Sequence, residues 1–481
     1  PFRPGVPAAT RAIQRRPPRV GMAACPRARL LLLVPALAAL PGAAAYNCGD
    51  RWADSCDGST QDLAELPSAP ESRRLGACKD AARGTSGCTA YAKPLPPGTD
   101  WLGVRKRLVS VLFGSEDGTL PGRTRPDHVE PLHHEQTFGN CACVSQGTCS
   151  RKDCTAPTNV TKLVWTLRLP VTAAESIMLN ATAFHSLNTS GIAPDNEVGP
   201  GERTIWPNDP LPARGISDTL VLFHNGHTQP CTQQGCDTDH DGVIDWLNRI
   251  GYDTMHLQMP GYQCNYVPGP GCNHTWFKQF DDMGLPVFRF FLEPAVLAIN
   301  YAVEVLGYRT IVMAGLSGGG WTTTLLAAVD PRISLSFPVA GSMPCDFRHT
   351  SWDFEQYCDN RWAMVANYTS LYVLAALEPS RRSLQIIHEA DPCCFHACHR
   401  HERIRAYNAW VQSQTAGHFA TAATIGNVHE VNDRDKVLMA TFIEKHRQGH
   451  LAASDFANIP FSTLSLPGER SSGAAERETF L

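Results

Sequence analysis

Apolar positions are sparse and unpatterned from residue 46 to about 100 and strongly patterned from residue 160 onward. There, short blocks rich in Val, Ile, Leu and Phe alternate with longer stretches in which apolar residues recur every three or four positions. The first kind of pattern suits buried strands and the second suits helices. KLVWTLRLP (162–170) and IMLNATAFHSL (177–187) read as two strands. TLVLFHNGH (219–227) is a short apolar run that ends in a polar loop, WLNRIG (246–251) is a short helix, and YDTMHLQMPG (252–261) is the next strand. PVFRFFLEPAVLAINYAVEVLG (286–307) predicts a long helix, and its Arg289, Glu293, Asn300 and Glu304 make it a buried helix, not a membrane span. YRTIVMAGLS (308–317), ISLSFPVAGS (333–342), SLQIIHEAD (383–391) and HFATAATIGN (418–427) are strands. GGWTTTLLAAVD (319–330) and DKVLMATFIEKHRQ (435–448) are helices.

Two strands followed by strands alternating with helices predict an α/β class: a mostly parallel, eight-stranded sheet with helices on both faces. The predicted domain runs from 160 to 450, with a cap insertion at about 342–380 that holds five aromatic residues between Trp352 and Tyr368. A cysteine-rich N-terminal region (46–159) precedes it. Within that region, 99–114 has helical spacing with Thr99 or Asp100 as cap, and 115–158 reads as loop. Residues 451–481 read as a loose polar tail.

Composition narrows the function classes. A net charge of −4 lacks the basic excess of a nucleic-acid binder. From Met22 the sequence has a basic stretch (Arg27, Arg29), an apolar core (Leu30–Leu40) and an A-x-A site ending at Ala45, the layout of a secretory signal peptide. Residues 1–45 are therefore expected to be leader and signal peptide, with Met22 as the start, secretion as the outcome and no stable membrane span. Eighteen cysteines suit an oxidising compartment. Five N-x-S/T sequons, at Asn159, Asn180, Asn188, Asn273 and Asn367, would then be glycosylated. The cysteines outside the signal peptide are odd in number. The earlier groups are even, which assigns the unpaired thiol to Cys393, Cys394 or Cys398; because His396, His399 and His401 interleave with these, zinc is the rival reading.

The chemistry-bearing residues fall at predicted strand ends, where parallel sheets bind ligands. Gly315-Leu316-Ser317-Gly318-Gly319 fits G-x-S-x-G between a strand and a helix, the setting of a nucleophile elbow. A serine needs a base and an orienting acid. Asp391 ends the strand 383–391, with Glu389 and Asp346 as rivals, and His429 follows the last strand. The backbone N–H groups of Gly318, Gly226 and His227 are the expected oxyanion donors. This ordered set resembles the α/β-hydrolase family over some 290 residues, nearest to secreted carboxylesterases and to peptidases of the same fold. The resemblance implies Ser317 as nucleophile, His429 as base and Asp391 as its partner. It implies hydrolysis of a small-molecule or glycan ester, with a serine peptidase and a catalytically inactive extracellular binding module as alternatives.

Catalysis of this kind needs no cofactor. A structural calcium site is a separate expectation. Asp237, Asp239, Asp241, Val243 and Asp245 match ligand positions of an EF-hand loop, although Asn248 stands where the bidentate glutamate belongs.

Overall fold

The computed structural model describes residues 98–132, 160–187, 218–227, 242–267, 269–345, 353–398, 400–424, 426–457 and 459. The strands are β1 (His128–Leu132), β2 (Val160–Pro170), β3 (Ser176–Ser186), β4 (Thr219–His224), β5 (Asp253–Leu257), β6 (Thr310–Leu316), β7 (Ile333–Val339), β8 (Arg382–His388) and β9 (Phe419–Thr424). The helices are α1 (Trp101–Phe113), α2 (Val243–Arg249), α3 (Lys278–Asp282), α4 (Arg289–Tyr301), α5 (Gly318–Val329), α6 (Arg361–Val365), α7 (Tyr368–Ala375), α8 (His401–Gln414), α9 (Asp433–Arg447) and α10 (Ala453–Ala457).

The strands form one sheet in the order β1-β2-β3-β5-β4-β6-β7-β8-β9. Pairing is antiparallel from β1 through β2 and β3 to β5, and parallel from β5 to β9. The expected α/β architecture is thus observed, with nine strands where eight were predicted. The extra strand is β1, HVEPL, which is too polar and too short to stand out as an apolar run. It lies at the edge, where exposure and a proline are tolerated.

The inner strands are buried along their length: β4 and β9 at every position and β6 at all but its first. That is why they read as continuous apolar runs, since helices cover both faces of a parallel sheet. α4 ends in a π-type turn at Ala302–Leu306 closed by Gly307. Its polar residues are satisfied within the fold: Arg289 pairs with Glu293 at 2.6 Å, and Asn300 donates to the carbonyls of Pro121 and Arg123. Among the described residues no helix is long and apolar enough to cross a membrane.

The domain boundary expected at residue 160 moves. α1 is capped by Asp100 and by Gly114 in the left-handed region, as its sequence predicts, but its Val104, Leu108 and Leu112 are buried in the same core as the sheet. Arg105 donates to the carbonyls of Ala328 and Leu374 and pairs with Glu378. Residues 98–132 therefore belong structurally with the segment that follows. At the other end, residues 451–457 pack instead of trailing: Phe456 is buried against Phe442, and Lys445 bonds Asp455 at 2.6 Å.

The proposed cap is also divided. Every residue of α7 is buried, Tyr372 stacks on Phe419 of β9, and the helix packs against α5, so α7 is part of the helical layer. Asp353 and Glu355 of the same insertion lie beside His227, beyond the C-terminal end of β4. α8, which bridges β8 and β9, was not anticipated; its sequence HERIRAYNAWVQSQ buries only Ile404, Tyr407 and Val411 and looks polar.

This topology fixes where a ligand can bind. From β4 the chain crosses through α2 to β5 on one side, and from β6 through α5 to β7 on the other. The crevice beyond the carboxyl ends of β4 and β6 is therefore the switch point of the sheet. β4 and β6 are neighbours in register, with His224 opposite Gly315.

Candidate active site

Ser317 is the residue after β6 and the N-cap of α5, at φ 56° and ψ −121°. A side-chain-bearing residue with positive φ carries strain of about 1–3 kcal/mol unless its surroundings impose it. Here they do. Its N–H donates to Val339 of β7 at 3.0 Å, and its carbonyl accepts from Trp321 at 2.9 Å. The flanking glycines are sterically required: a Cβ on Gly315 would lie 2.4 Å from the Gly319 oxygen, and one on Gly319 would lie 1.8 Å from the His224 oxygen.

The loop after β4 presses on this elbow. A Cβ on Gly226 would lie 2.8 Å from both the Ser317 Cβ and the Gly318 nitrogen. The N–H of Gly318 opens α5, so it has no partner within the helix and sits at the positive end of the helix dipole. Among the described residues no hydrogen bond engages the N–H of Gly226 or His227. The loop carrying Gly226 and His227 therefore lies against Ser317 and Gly318.

Asp391 and His429 are brought together by the ends of β8 and β9. His429 Nδ1 bonds Asp391 Oδ2 at 2.8 Å, and the other carboxylate oxygen accepts the Cys393 N–H at 2.7 Å. Burial works against the Asp391 charge, but the hydrogen bond and proximity to His429 outweigh it and hold the carboxyl below its usual range. His429 Nε2, the nitrogen that would face a nucleophile, is buried and makes no hydrogen bond, so a Ser317–His429 bond is not formed in this structure. Such bonds are often loose without substrate.

A second buried pair steadies the histidine loop. His388, the last residue of β8, donates from Nε2 to Asp435 at 2.8 Å, and Thr424 at the end of β9 bonds the same carboxylate. Asp435 and Asn432 form the capping box of α9, just after His429. Of the rival acids, Glu389 is engaged by His401 at 2.7 Å, away from His429, and Asp346 lies outside the described residues.

One cluster was not read from the sequence. His227 Nε2 lies 3.1 Å from Glu355 and 3.6 Å from Asp353. His274 Nδ1 lies 2.9 Å from Glu355 and 3.2 Å from His227 Nε2. Burial tends to lower the His227 pKa, but the Glu355 and Asp353 carboxylates overcome this and raise it to about 9. The only sequence signal was a histidine and acidic residues set among aromatics, in HTWF and WDFEQY, and its meaning depends on contacts across the fold.

The remaining expectations divide between described and undescribed residues. Asp237, Asp239 and Asp241 of the calcium loop lie outside the described residues. Val243 opens α2 fully buried, Asp245 pairs with Arg249, and Asn248 donates to Ser186 at 2.7 Å. Asn180 and Asn273 are exposed, whereas the half-buried Asn367 caps α7. Asn159 and Asn188 lie outside the described residues, as does the whole signal-peptide segment. Cys345 and Cys358 are bonded as their spacing suggested, and Cys264 and Cys272 are each in a disulfide. The assignment of a free thiol to Cys393, Cys394 or Cys398 is overturned. Cys393 bonds Cys394 and Cys398 is also in a disulfide, so these sulfurs are not thiolate ligands for zinc.

No protein-family model matches the chain, and no curated protein matches it. Among solved structures it is similar to Est1E from Butyrivibrio proteoclasticus at 16% identity and TM-score 0.31, covering 58% of this chain and 98% of that one. It is similar to methylesterase BT1017 at 12% identity and TM-score 0.41, covering 76% and 66%. It is also similar to a Mycobacterium tuberculosis puromycin-hydrolyzing peptidase at 15% identity and TM-score 0.38, covering 60% and 40%. At these scores the likenesses carry no argument; the architecture rests on the strand order and register described above.

Proposed function

We propose that this chain is a secreted serine hydrolase of the α/β-hydrolase type that cleaves carboxylic esters. The observation that carries the reading is the positive φ of Ser317 at a sharp strand-to-helix turn, placed at the switch point of the sheet. A strained residue with steric glycines on either side has no evident packing purpose there. The hydrogen-bonded His429–Asp391 pair at the ends of the later strands supports it.

In the proposed mechanism Ser317 Oγ attacks the ester carbonyl while His429 Nε2 takes its proton. Asp391 holds the Nδ1–H tautomer and stabilises the imidazolium. The carbonyl oxygen becomes an oxyanion held by the N–H groups of Gly318 and of the Gly226–His227 loop, each worth about 100- to 1000-fold in rate. The carbon–oxygen bond to the alcohol then breaks, and the alkoxide leaves with the proton from His429. Water repeats the sequence on the acyl-serine and frees the acid. Secretion and glycosylation at Asn180 and Asn273 are supported by the leader sequence, the disulfides and the exposure of both side chains. Catalysis on this route needs no cofactor.

The test is fluorophosphonate labelling of the purified chain, read by intact mass, for wild type and Ser317→Ala. Labelling of wild type alone supports an activated Ser317, and rates on ester against peptide substrates then separate esterase from peptidase. No labelling of a folded wild type overturns the reading and favours a binding module.

A further inference from the structure

We propose that His227, His274 and Glu355 form a mononuclear zinc site that fastens the loop after β4 to the segment around residue 355. Each comes from a different stretch: His227 from the loop beyond β4, His274 from the turn before α3, and Glu355 from the segment between Cys345 and Cys358. Their ligand atoms converge on one point. The His227 Nε2 to His274 Nδ1 separation is 3.2 Å, and the two nitrogens lie 3.1 and 2.9 Å from the Glu355 oxygens. Zinc–ligand distances of about 2.0–2.1 Å in a tetrahedron give ligand–ligand edges of roughly 3.3 Å. The two nitrogens are spaced close to such an edge, and each lies near that distance from a different oxygen of the same carboxylate, Oε1 for His227 and Oε2 for His274.

The remaining contacts suit a metal. His274 Nε2 lies 2.7 Å from the Pro260 carbonyl and donates its N–H there. A second hydrogen bond of this kind fixes the tautomer of a metal-bound imidazole and directs the Nδ1 lone pair inward. That lone pair would face a carboxylate oxygen at 2.9 Å, a contact that a cation between them makes favourable. One dication satisfies both rings and the carboxylate together. His274 and Glu355 are buried, and Asp353, 3.6 Å from His227 Nε2, is placed to approach the fourth position. Two imidazoles with a carboxylate select zinc over calcium or magnesium, which take oxygen donors.

The metal would act on the loop that carries the proposed oxyanion donors, and in that role the inference rests on the hydrolase reading. Binding itself does not, and the test reads it separately. The full-length purified chain is stripped with a chelator and titrated with cobalt(II), then competed with zinc. One equivalent giving the visible absorption of low-coordinate cobalt, displaced by zinc, is expected. Glu355→Gln and His227→Asn, each checked for folding by near-ultraviolet circular dichroism, should weaken binding by about 100-fold or more, beyond the loss from an outer-shell change. On wild type alone, zinc should protect His227 from diethyl pyrocarbonate, mapped by mass spectrometry, which keeps the test valid if a variant does not fold. No stoichiometric cobalt spectrum, unchanged affinity in both folded variants, or no protection of His227 would overturn the site, whatever the fluorophosphonate result.

Discussion

Replacing Asp391 by asparagine tests the proposed triad through a single proton. The aspartate is fully buried and divides its oxygens between two donors, Cys393 N–H at 2.7 Å and His429 Nδ1 at 2.8 Å. Asparagine has the same shape but one acceptor. The Cys393 N–H cannot rotate away, so the amide oxygen must serve it. The Nδ2 group then faces His429 Nδ1 and donates to it. The imidazole is driven to the tautomer with its proton on Nε2, and that nitrogen can no longer accept a proton from Ser317. In a Ser-His-Asp site this change lowers kcat about 10⁴-fold, which corresponds to roughly 5 kcal/mol of lost transition-state stabilisation. The assay is the second-order rate of fluorophosphonate labelling, with kcat/KM on an activated aryl ester alongside and circular dichroism to confirm folding. A folded Asp391→Asn variant that labels within tenfold of wild type would refute the assignment of Asp391 and His429 as a working pair.

Four further outcomes are expected. Ser317→Gly should be more stable than Ser317→Ala by roughly 1 kcal/mol, because glycine relieves the positive φ that alanine retains; denaturant unfolding of the two would show it, and equal stabilities would argue against a strained elbow. Gly226→Ala places a Cβ 2.6 Å from the Leu316 oxygen and 2.8 Å from the Ser317 Cβ, so labelling should fall by about 100-fold as the donor loop is pushed off; a folded variant that labels like wild type would contradict the loop placement. Arg105→Ala removes two carbonyl contacts and the ion pair to Glu378, and should cost roughly 3 kcal/mol of stability, whereas a loss under about 1 kcal/mol would detach residues 98–132 from the core. Burial tends to raise the Glu378 pKa, but Arg105 and Arg381 overcome it and lower the value to about 2. A folded pKa below the unfolded value of about 4.3 adds stability that is present above that value. Wild-type stability should therefore fall as pH drops from 4.5 towards 2, and Arg105→Ala should show a shallower fall.

The α/β class and most of its elements follow from local pattern. Buried parallel strands appear as apolar runs, because both faces are covered, and Ser317 is legible because the sharp turn demands glycine at 315 and 319 for steric reasons that hold at the level of the motif. Asp391 and His429 are placed by strand order alone. β1 was missed because an exposed edge strand has no apolar rhythm, and α8 because it buries only three side chains. The N-terminal boundary was misplaced because the attachment of α1 depends on Arg105 meeting carbonyls more than two hundred residues away. Sequence spacing suggested a free thiol or zinc at Cys393, Cys394 and Cys398, since disulfide partners are chosen by distance in space.

The sequence by itself determined the sheet, the elbow and the order of the polar strand ends, because each is encoded in a run of a dozen residues or fewer. Only the tertiary structure decided that His227, His274 and Glu355 come together and that α7 is core and not cap. Those outcomes depend on which loops a twisted sheet brings to the same end, and no local pattern carries that information.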